Sequence, residues 1–518
     1  MDTQDPFHLH ELAQRQARAR AMGGDQKVAI QHSKGRLTAR ERIETLLDPG
    51  TFDEIGLLAH SDLPEAADRS PADGKPTGYG AIAGRTVLVS ADDVTVMAGA
   101  GGRVGVGKQY QAMAYATQKG IPCIHLGDAG GARVPDIMGS DGMMSMVYPI
   151  KAAPRDRRVP LITTIMGECY GGPGWTASVS DIVIQVKGAI FAVGGPAILT
   201  IATGEQSTPE ELGGWELHAR QTGQVDLFAE NDAHCLWLVR QVLSYFPSSA
   251  DQLPPVYPAT DPPDSRVEAL LDVVPEDPKQ VYDMHHVVEL LADAGSVLEL
   301  KPEFDGSLIT ALARLDGHSV GILANNPLVT AGAMGPGACE KAASFIALCD
   351  SFHIPLIFLH DTPGFLIGKG AEERKMPLKI MTWIEALQRS TVPRVSVIVR
   401  KSYGMAHCNM AGGNMGCDAL LAWPTAEVSF VAPEVAVSIV HGRRLAQLDD
   451  PEAARQALMA ELYRANAPWA AAGRNFVDKV IDPRDTRWEL IRALRRARGS
   501  GGENGRSRRL LANWPRMF

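Results

Sequence analysis

Basic charge is not in excess: 51 lysines and arginines stand against 60 aspartates and glutamates, for a net charge of −9. Such a balance offers no phosphate-attracting field, which excludes nucleic acid as a leading partner. Cysteines are few, seven in all, odd in number and scattered through apolar segments, so no disulfide framework is implied. No CxxC pair occurs anywhere, and a four-cysteine zinc ribbon is therefore excluded. The opening stretch MDTQDPFHLHELAQRQARAR alternates charge with short apolar groups and lacks the apolar core of a secretion signal. No run of about 18 uncharged apolar residues follows, so the sequence predicts a cytoplasmic protein with no membrane partner.

What remains is an ordinary globular composition, 45% apolar and 21% charged over 518 residues, enough to bury large cores. The most informative feature is an internal repeat. GRTVLVSADDVTVMAGAGG from Gly84 aligns with GHSVGILANNPLVTAGAMG from Gly317, an offset of 233 residues. Without a gap the same register pairs Ile121-Pro122 with Ile354-Pro355, Asp128 with Asp361, Val159-Pro160 with Val392-Pro393, and Tyr170-Gly171 with Tyr403-Gly404. The chain therefore reads as two copies of one unit, residues 1–260 and 261–518, divided near the Pro-rich stretch Leu253–Arg266.

Each copy reads as a strand pair, a Gly-rich turn, a helix, a short buried strand ending at a Gly-rich loop, a second helix, and another buried strand ending at Tyr-Gly. Short, uniformly apolar strands alternating with helices predict parallel pairing, hence an α/β fold with ligands at the carboxyl ends of the strands. The segment before about Asp73 reads as helical and charged, and the Gly-rich basic tail after Arg496 as a frayed terminus. Gly102 to Gln109 matches the phosphate-loop spacing GxxxxGK up to Gln109, which replaces the hydroxyl residue required for Mg²⁺; a nucleotide site is not expected there.

Seven stretches, in order, resemble the carboxyltransferase family of the acyl-CoA carboxylases: Gly35–Gly56, Asp73–Arg85, DAGGAR (Asp128–Arg133), HDTPGFLIG (His360–Gly368), RKSYGMA (Arg400–Ala406), AWPTAEVSF (Ala422–Phe430) and FVDKVIDPRDT (Phe476–Thr486). The resemblance implies two tandem crotonase-like domains, each a spiral of ββα turns, with the acyl-CoA on the first and biotin on the second. It implies transfer of a carboxyl group from carboxybiotin to the α-carbon of an acyl-CoA through an enolate. Because the chain has no AMKM biotinylation sequence and no ATP-grasp stretch, biotin belongs on a separate carrier protein, with a biotin carboxylase as partner. A homohexamer is also implied, each active site lying between the first half of one subunit and the second half of another. No metal is expected in this subunit.

An enolate needs fixed donors for its developing negative oxygen, and backbone N–H groups at a strand-to-helix turn provide them. By resemblance, Gly171 and Gly172 hold the thioester oxygen. Met405 and Ala406, after Gly404, hold the ureido oxygen of biotin, with Pro363, Gly364 and Phe365 lining the biotin side. Gly130, Gly131, Ala132 and Arg133 are placed along the CoA path. Arg36 and Arg40, four apart, are expected on one face of an N-terminal helix that also carries Arg42 and meets the CoA phosphates. Cys408 falls where the family sets acyl-chain preference. The resemblance implies that the biotin enolate itself takes the acyl α-proton, so that no protein base is required; both turns agree, carrying no carboxylate or acid–base dyad within two residues of their glycines, and His407 is a candidate base or gating residue.

Gly-Met at 404–405 is similar to the methylcrotonyl-CoA branch, whereas AWPTAEV is similar to the propionyl-CoA branch, so the acyl group stays open. Three alternatives stand beside this reading. One is the same half-reaction reversed, as in biotin-dependent decarboxylases and transcarboxylases. A second, a biotin-free hydratase or isomerase, needs paired glutamates that do not flank Gly171. The third is a scaffold subunit without chemistry.

Overall fold

The computed structural model describes residues 7–142, 156–259, 261–275, 277, 280–500 and 506–515. They form two compact units, Met1–Gln252 and Leu253–Phe518. In the first unit the sheet runs β1 (Asp53–Ile55), β2 (Thr77–Ile82), β3 (Arg85–Ala91), β4 (Cys123–Ala129), β5 (Leu161–Tyr170), β6 (Ile182–Val186) and β8 (Leu227–Ala229), with β7 (Ile190–Ala192) pairing onto the end of β5. The pairs β1–β2 and β2–β3 are antiparallel, and every later pair is parallel. Helix crossovers are what parallel neighbours demand, and Arg103–Lys119 supplies the one between β3 and β4.

The second unit repeats this order. Its strands are β9 (Leu298–Glu299), β10 (Leu308–Leu315), β11 (His318–Asn325), β12 (Leu356–Thr362), β13 (Arg394–Tyr403), β14 (Ala419–Ala422), β15 (Glu427–Ser429) and β16 (Lys479–Val480). The sheet runs β9-β10-β11-β12-β13-β14-β16, with β15 on β13. β4 and β12, and likewise β5 and β13, begin and end 233 residues apart, the predicted register. The isolated bridge Gly101–Ala132 recurs as Met334–Phe365.

Backbone strain repeats as well. Gly131 and Gly364 have φ of 105° and 135°, Gly171 and Gly404 have 62° and 56°, and even the alanines Ala98 and Ala331 share 57° and 54°. Positive φ is costly for a residue with a Cβ, so its recurrence in one register marks turns whose shape is required in both copies.

The two crossover helices differ in packing. Pro336–Ser351 is buried along almost its whole length, carrying Phe345, Ile346 and Leu348 into the second core. Its counterpart Arg103–Lys119 buries only Gly105, Ala112 and Ala116. In the first unit that helix roofs a cavity. On the opposite face of the second sheet, helices Met284–Leu291 and Thr486–Ser500 complete a core that includes Trp423, whose indole donates to Thr486 Oγ1 at 2.9 Å.

Gly102–Gln109, read as a loop of phosphate-binding spacing, is the start of this helix instead. Lys108 Nζ is bound to the carbonyls of Ala72 and Gly56 at 2.9 and 3.1 Å. Burial brings its pKa down to about 8. A lysine so engaged is a tie between loops.

Candidate functional site

In the first unit the parallel neighbours β4 and β5 both end at glycine-containing loops, and the pairing shifts register between Gly127 and Ala129. The turn after β5 holds the predicted pair, but the two amides are not equivalent. Gly171 N–H donates to Val193 O at 3.1 Å, which ties the turn to the end of β7. Gly172 opens helix Gly172–Val179, and its N–H has no partner among the described residues. First-turn amides lack intrahelical acceptors, and Pro173, which follows, has no N–H at all.

A second source of amides stands opposite, in the loop after β4. Gly130 N–H donates to Ala98 O at 3.1 Å and Arg133 N–H to Gly101 O at 2.8 Å, while the amides of Gly131 and Ala132 between them have no partner among the described residues. Gly131 and Gly172 line one cavity of about 400 Å³, together with Val106, Met113 and Trp175. Residues with unpartnered amides thus reach this cavity from two loops on neighbouring strands. Adjacency in the sequence could not reveal that.

The cavity also has a polar side that no motif announced. Ser90 Oγ lies 3.0 Å from His125 Nδ1, and His125 Nε2 lies 3.5 Å from Asp92 Oδ2. Lys75 Nζ donates to Asp92 Oδ1 at 2.6 Å and to Gly99 O at 2.7 Å. Ser90, Asp92, His125 and Lys75 all line the cavity and are all buried. Burial pushes the Asp92 carboxyl up, but the Lys75 ammonium beside it outweighs this and leaves it well below the usual carboxylate range.

The predicted arginines separate into different roles. Thr38 and Glu41 form a capping box that starts the helix at Ala39, so Arg36 precedes the helix and does not share a face with Arg40. Arg36 Nη2 donates to Gly188 O at 2.8 Å. Arg40 is held by both oxygens of Glu54 at 2.8 and 3.0 Å. Arg42 is buried between Asp128 and Asp232, at 2.8 Å from each. Arg133 is also buried, its Nη2 2.6 Å from both Asp73 and Asp136. Asp128 and its repeat mate Asp361 are both clasped by arginine, but by unrelated ones: Asp361 meets Arg400 of β13 at 3.0 Å.

In the second unit β13 ends at Tyr403, and helix Gly404–Asn409 begins directly. Met405 and Ala406 lie in its first turn, where amides have no intrahelical acceptor. Ala406 is buried, whereas the Met405 side chain is 43% exposed, turned out of the protein. The loop after β12 carries Pro363, Gly364 and Phe365, and the Phe365 ring stands edge-on to Trp383 at 6.4 Å. The Tyr403 hydroxyl bonds Glu427 of β15.

Behind the turn, Ser402 Oγ lies 2.9 Å from His360 Nδ1 and 2.8 Å from His407 Nδ1. One hydroxyl proton serves two ring nitrogens, so one imidazole accepts from Ser402 and the other donates to it. Burial lowers the His407 pKa to about 4, which keeps the ring neutral. Cys408 is half-buried, its Sγ 3.5 Å from Asn414 Oδ1.

A carboxyl transferase domain model matches residues 30–500. The chain belongs to the carboxyl transferase family. The carboxyltransferase subunit of propionyl-CoA carboxylase from Haloferax mediterranei is 37% identical over 94% of this chain and 95% of that protein. The methylmalonyl-CoA carboxyltransferase 12S subunit of Propionibacterium freudenreichii subsp. shermanii is 37% identical over 94% and 93%. Among solved structures, a transcarboxylase 12S crystal structure described as a hexamer with methylmalonyl-coenzyme A bound matches with a TM-score of 0.90, 35% identity and 97% of each chain covered. The expected tandem crotonase-like carboxyltransferase fold is therefore present, and the chain is an enzyme of the acyl-CoA carboxylase carboxyltransferase type.

Proposed function

We propose that this carboxyltransferase moves a carboxyl group from biotin, held on a separate carrier protein, to the α-carbon of an acyl-CoA, the first unit holding the thioester and the second the biotin ring. The observation that carries the reading is the duplicated turn: Gly171 and Gly404, at φ of 62° and 56°, each deliver a strand into a helix whose first amides are left without helical acceptors.

In the first unit Gly172 N–H, with Gly131 or Ala132 N–H from across the cavity, receives the thioester oxygen as it gains charge. The apolar walls exclude water and strengthen those bonds. In the second unit Met405 and Ala406 N–H hold the ureido oxygen. The exposed Met405 side chain leaves both amides available, which fits such a group. Biotin supplies the carboxyl group; the chain's own groups orient the two partners and stabilise negative oxygen. The chain acts as a homohexamer in the cytoplasm beside biotin carboxylase and carrier subunits, with the first half of one subunit completing a site with the second half of another.

The decisive experiment offers the purified chain a carboxylated biotin carrier and a panel of acyl-CoA thioesters, following carboxylated products by mass spectrometry. Malonyl-CoA and methylmalonyl-CoA are offered without ATP to read the reverse direction. A hexamer by light scattering and carboxylation of at least one thioester are expected. A monomer that turns over, or no transfer in either direction, overturns the proposal.

A further inference from the structure

The polar side of the first-unit cavity has no part in holding a thioester oxygen, yet it lines the same cavity. Strand register explains how it arises. Ser90 and His125 are direct partners on the parallel pair β3–β4, and Asp92 follows Ser90 by two residues, so all three face one way. Beside His125, position 127 is glycine because the next strand crowds it: a Cβ there would lie 2.8 Å from Thr164 O and 3.0 Å from Cys169 Sγ.

Burying hydroxyl, imidazole, carboxylate and ammonium groups in a cavity with walls such as Val106, Met113 and Trp175 is costly unless they are matched. The charges are matched internally. Lys75 and Asp92 neutralise one another at 2.6 Å, and Arg103, at the rim, is committed to Asp136 O at 2.6 Å and to Asp62 at 3.6 Å. No unpaired lysine or arginine therefore lines the cavity among the described residues. The groups with spare hydrogen-bonding capacity are the Ser90 hydroxyl, which both donates and accepts, and the imidazole of His125, whose contact to Asp92 is long at 3.5 Å.

We infer that Ser90 and His125 are specificity-determining residues, and that the acyl group this enzyme accepts carries a neutral oxygen substituent, a hydroxyl or carbonyl, beyond its α-carbon. The inference rests on the first-unit cavity being the acyl-thioester site. The α-carbon sits by the Gly131 and Gly172 amides, and the chain extends along the apolar wall until its oxygen meets Ser90 and His125. A plain hydrocarbon chain would leave this polar pair buried with only its internal bonds. A chain ending in carboxylate would meet the Asp92 carboxylate, with no unpaired lysine or arginine among the described lining residues to offset it.

The test measures kcat/KM for butyryl-CoA, 3-hydroxybutyryl-CoA, 4-hydroxybutyryl-CoA and glutaryl-CoA with the full-length chain and a carboxylated biotin carrier, and the affinity of each ester by calorimetry in the absence of biotin. One hydroxylated ester is expected to exceed butyryl-CoA by about tenfold or more, since a site built to bond a substrate hydroxyl discriminates against the analogue lacking it. In Ser90→Ala and His125→Phe that ratio should fall to within about threefold of unity. Should His125→Phe not fold, Ser90→Ala, which deletes one hydroxyl, carries the comparison.

A ratio near or below one in the unmodified protein, a ratio that both variants leave intact, or a preference for glutaryl-CoA would overturn the inference. If butyryl-CoA binds and is carboxylated without discrimination, only the specificity claim falls. If no ester binds the cavity, the thioester assignment falls with it.

Discussion

The amide of Gly171 is bonded to the carbonyl of Val193, 3.1 Å away, whereas the amide of its neighbour Gly172 has no partner among the described residues. A Cβ at Gly172 would meet nothing within 4 Å, so Gly172→Ala keeps both the amide and the turn. Gly172→Pro removes only the N–H, at a first helical position where proline's φ is tolerated. The proline variant is expected to fall about 10²–10³-fold below the alanine variant in kcat, as for loss of one oxyanion donor, with a similar melting temperature. Steady-state rates of the two proteins side by side decide it, and equal rates would place the donor elsewhere.

Arg133 is held by Asp73 and Asp136, both fully buried, and it fills the space beside Gly102, where a Cβ would lie 1.9 Å from its guanidinium. Removing one partner of a buried charge network strands the others. Arg133→Ala is therefore expected to lower stability by about 3–5 kcal/mol, read by urea denaturation. An acyl-CoA contact alone would instead raise KM and leave the unfolding midpoint where it was.

Arg36 and Arg40 make a contrasting pair. The Arg40 guanidinium is forked onto Glu54, whereas Arg36 is held by a single carbonyl bond at the surface. If the arginine before helix Ala39–Leu46 meets the CoA phosphates, Arg36→Glu raises KM for acyl-CoA about tenfold, more at low salt than at high, while Arg40→Gln changes KM less. Salt-dependent KM measurements separate the two.

His407 makes acid a stress. Its folded pKa of about 4 lies below the value near 6.5 expected of the unfolded chain, so unfolding takes up a proton between those limits. Stability from the neutral ring is complete above about pH 6.5 and is lost as pH falls toward 4, by up to about 3 kcal/mol. His407→Phe should reduce the drop in denaturation midpoint between pH 7 and pH 5. His360, which shares Ser402 and whose pKa burial also lowers, keeps part of it. An unchanged pH profile would show that His407 is already solvated in the folded protein.

Much of the architecture was legible because duplication writes itself twice. A period of 233 residues, apolar runs of strand length and Tyr-Gly at matched positions determined two α/β units and located the turns after β5 and β13. Positive φ at Gly131, Gly171, Gly364 and Gly404 is the conformational reason those glycines stand where they do.

Which groups at those turns are available for chemistry was a tertiary matter. Whether an amide is free depends on the carbonyl that another strand brings to it, and Val193 lies beyond three intervening elements from Gly171. Arg133 reads as a loop arginine until the fold sets Asp73 beside it, and Ser90 reads as an ordinary strand residue until parallel register sets His125 against it. Local sequence determines conformation through sterics and periodicity. Partnership between groups far apart in the chain exists only once the sheet has closed, and it was the sheet that chose the donors, the buried charges and the polar side of the cavity.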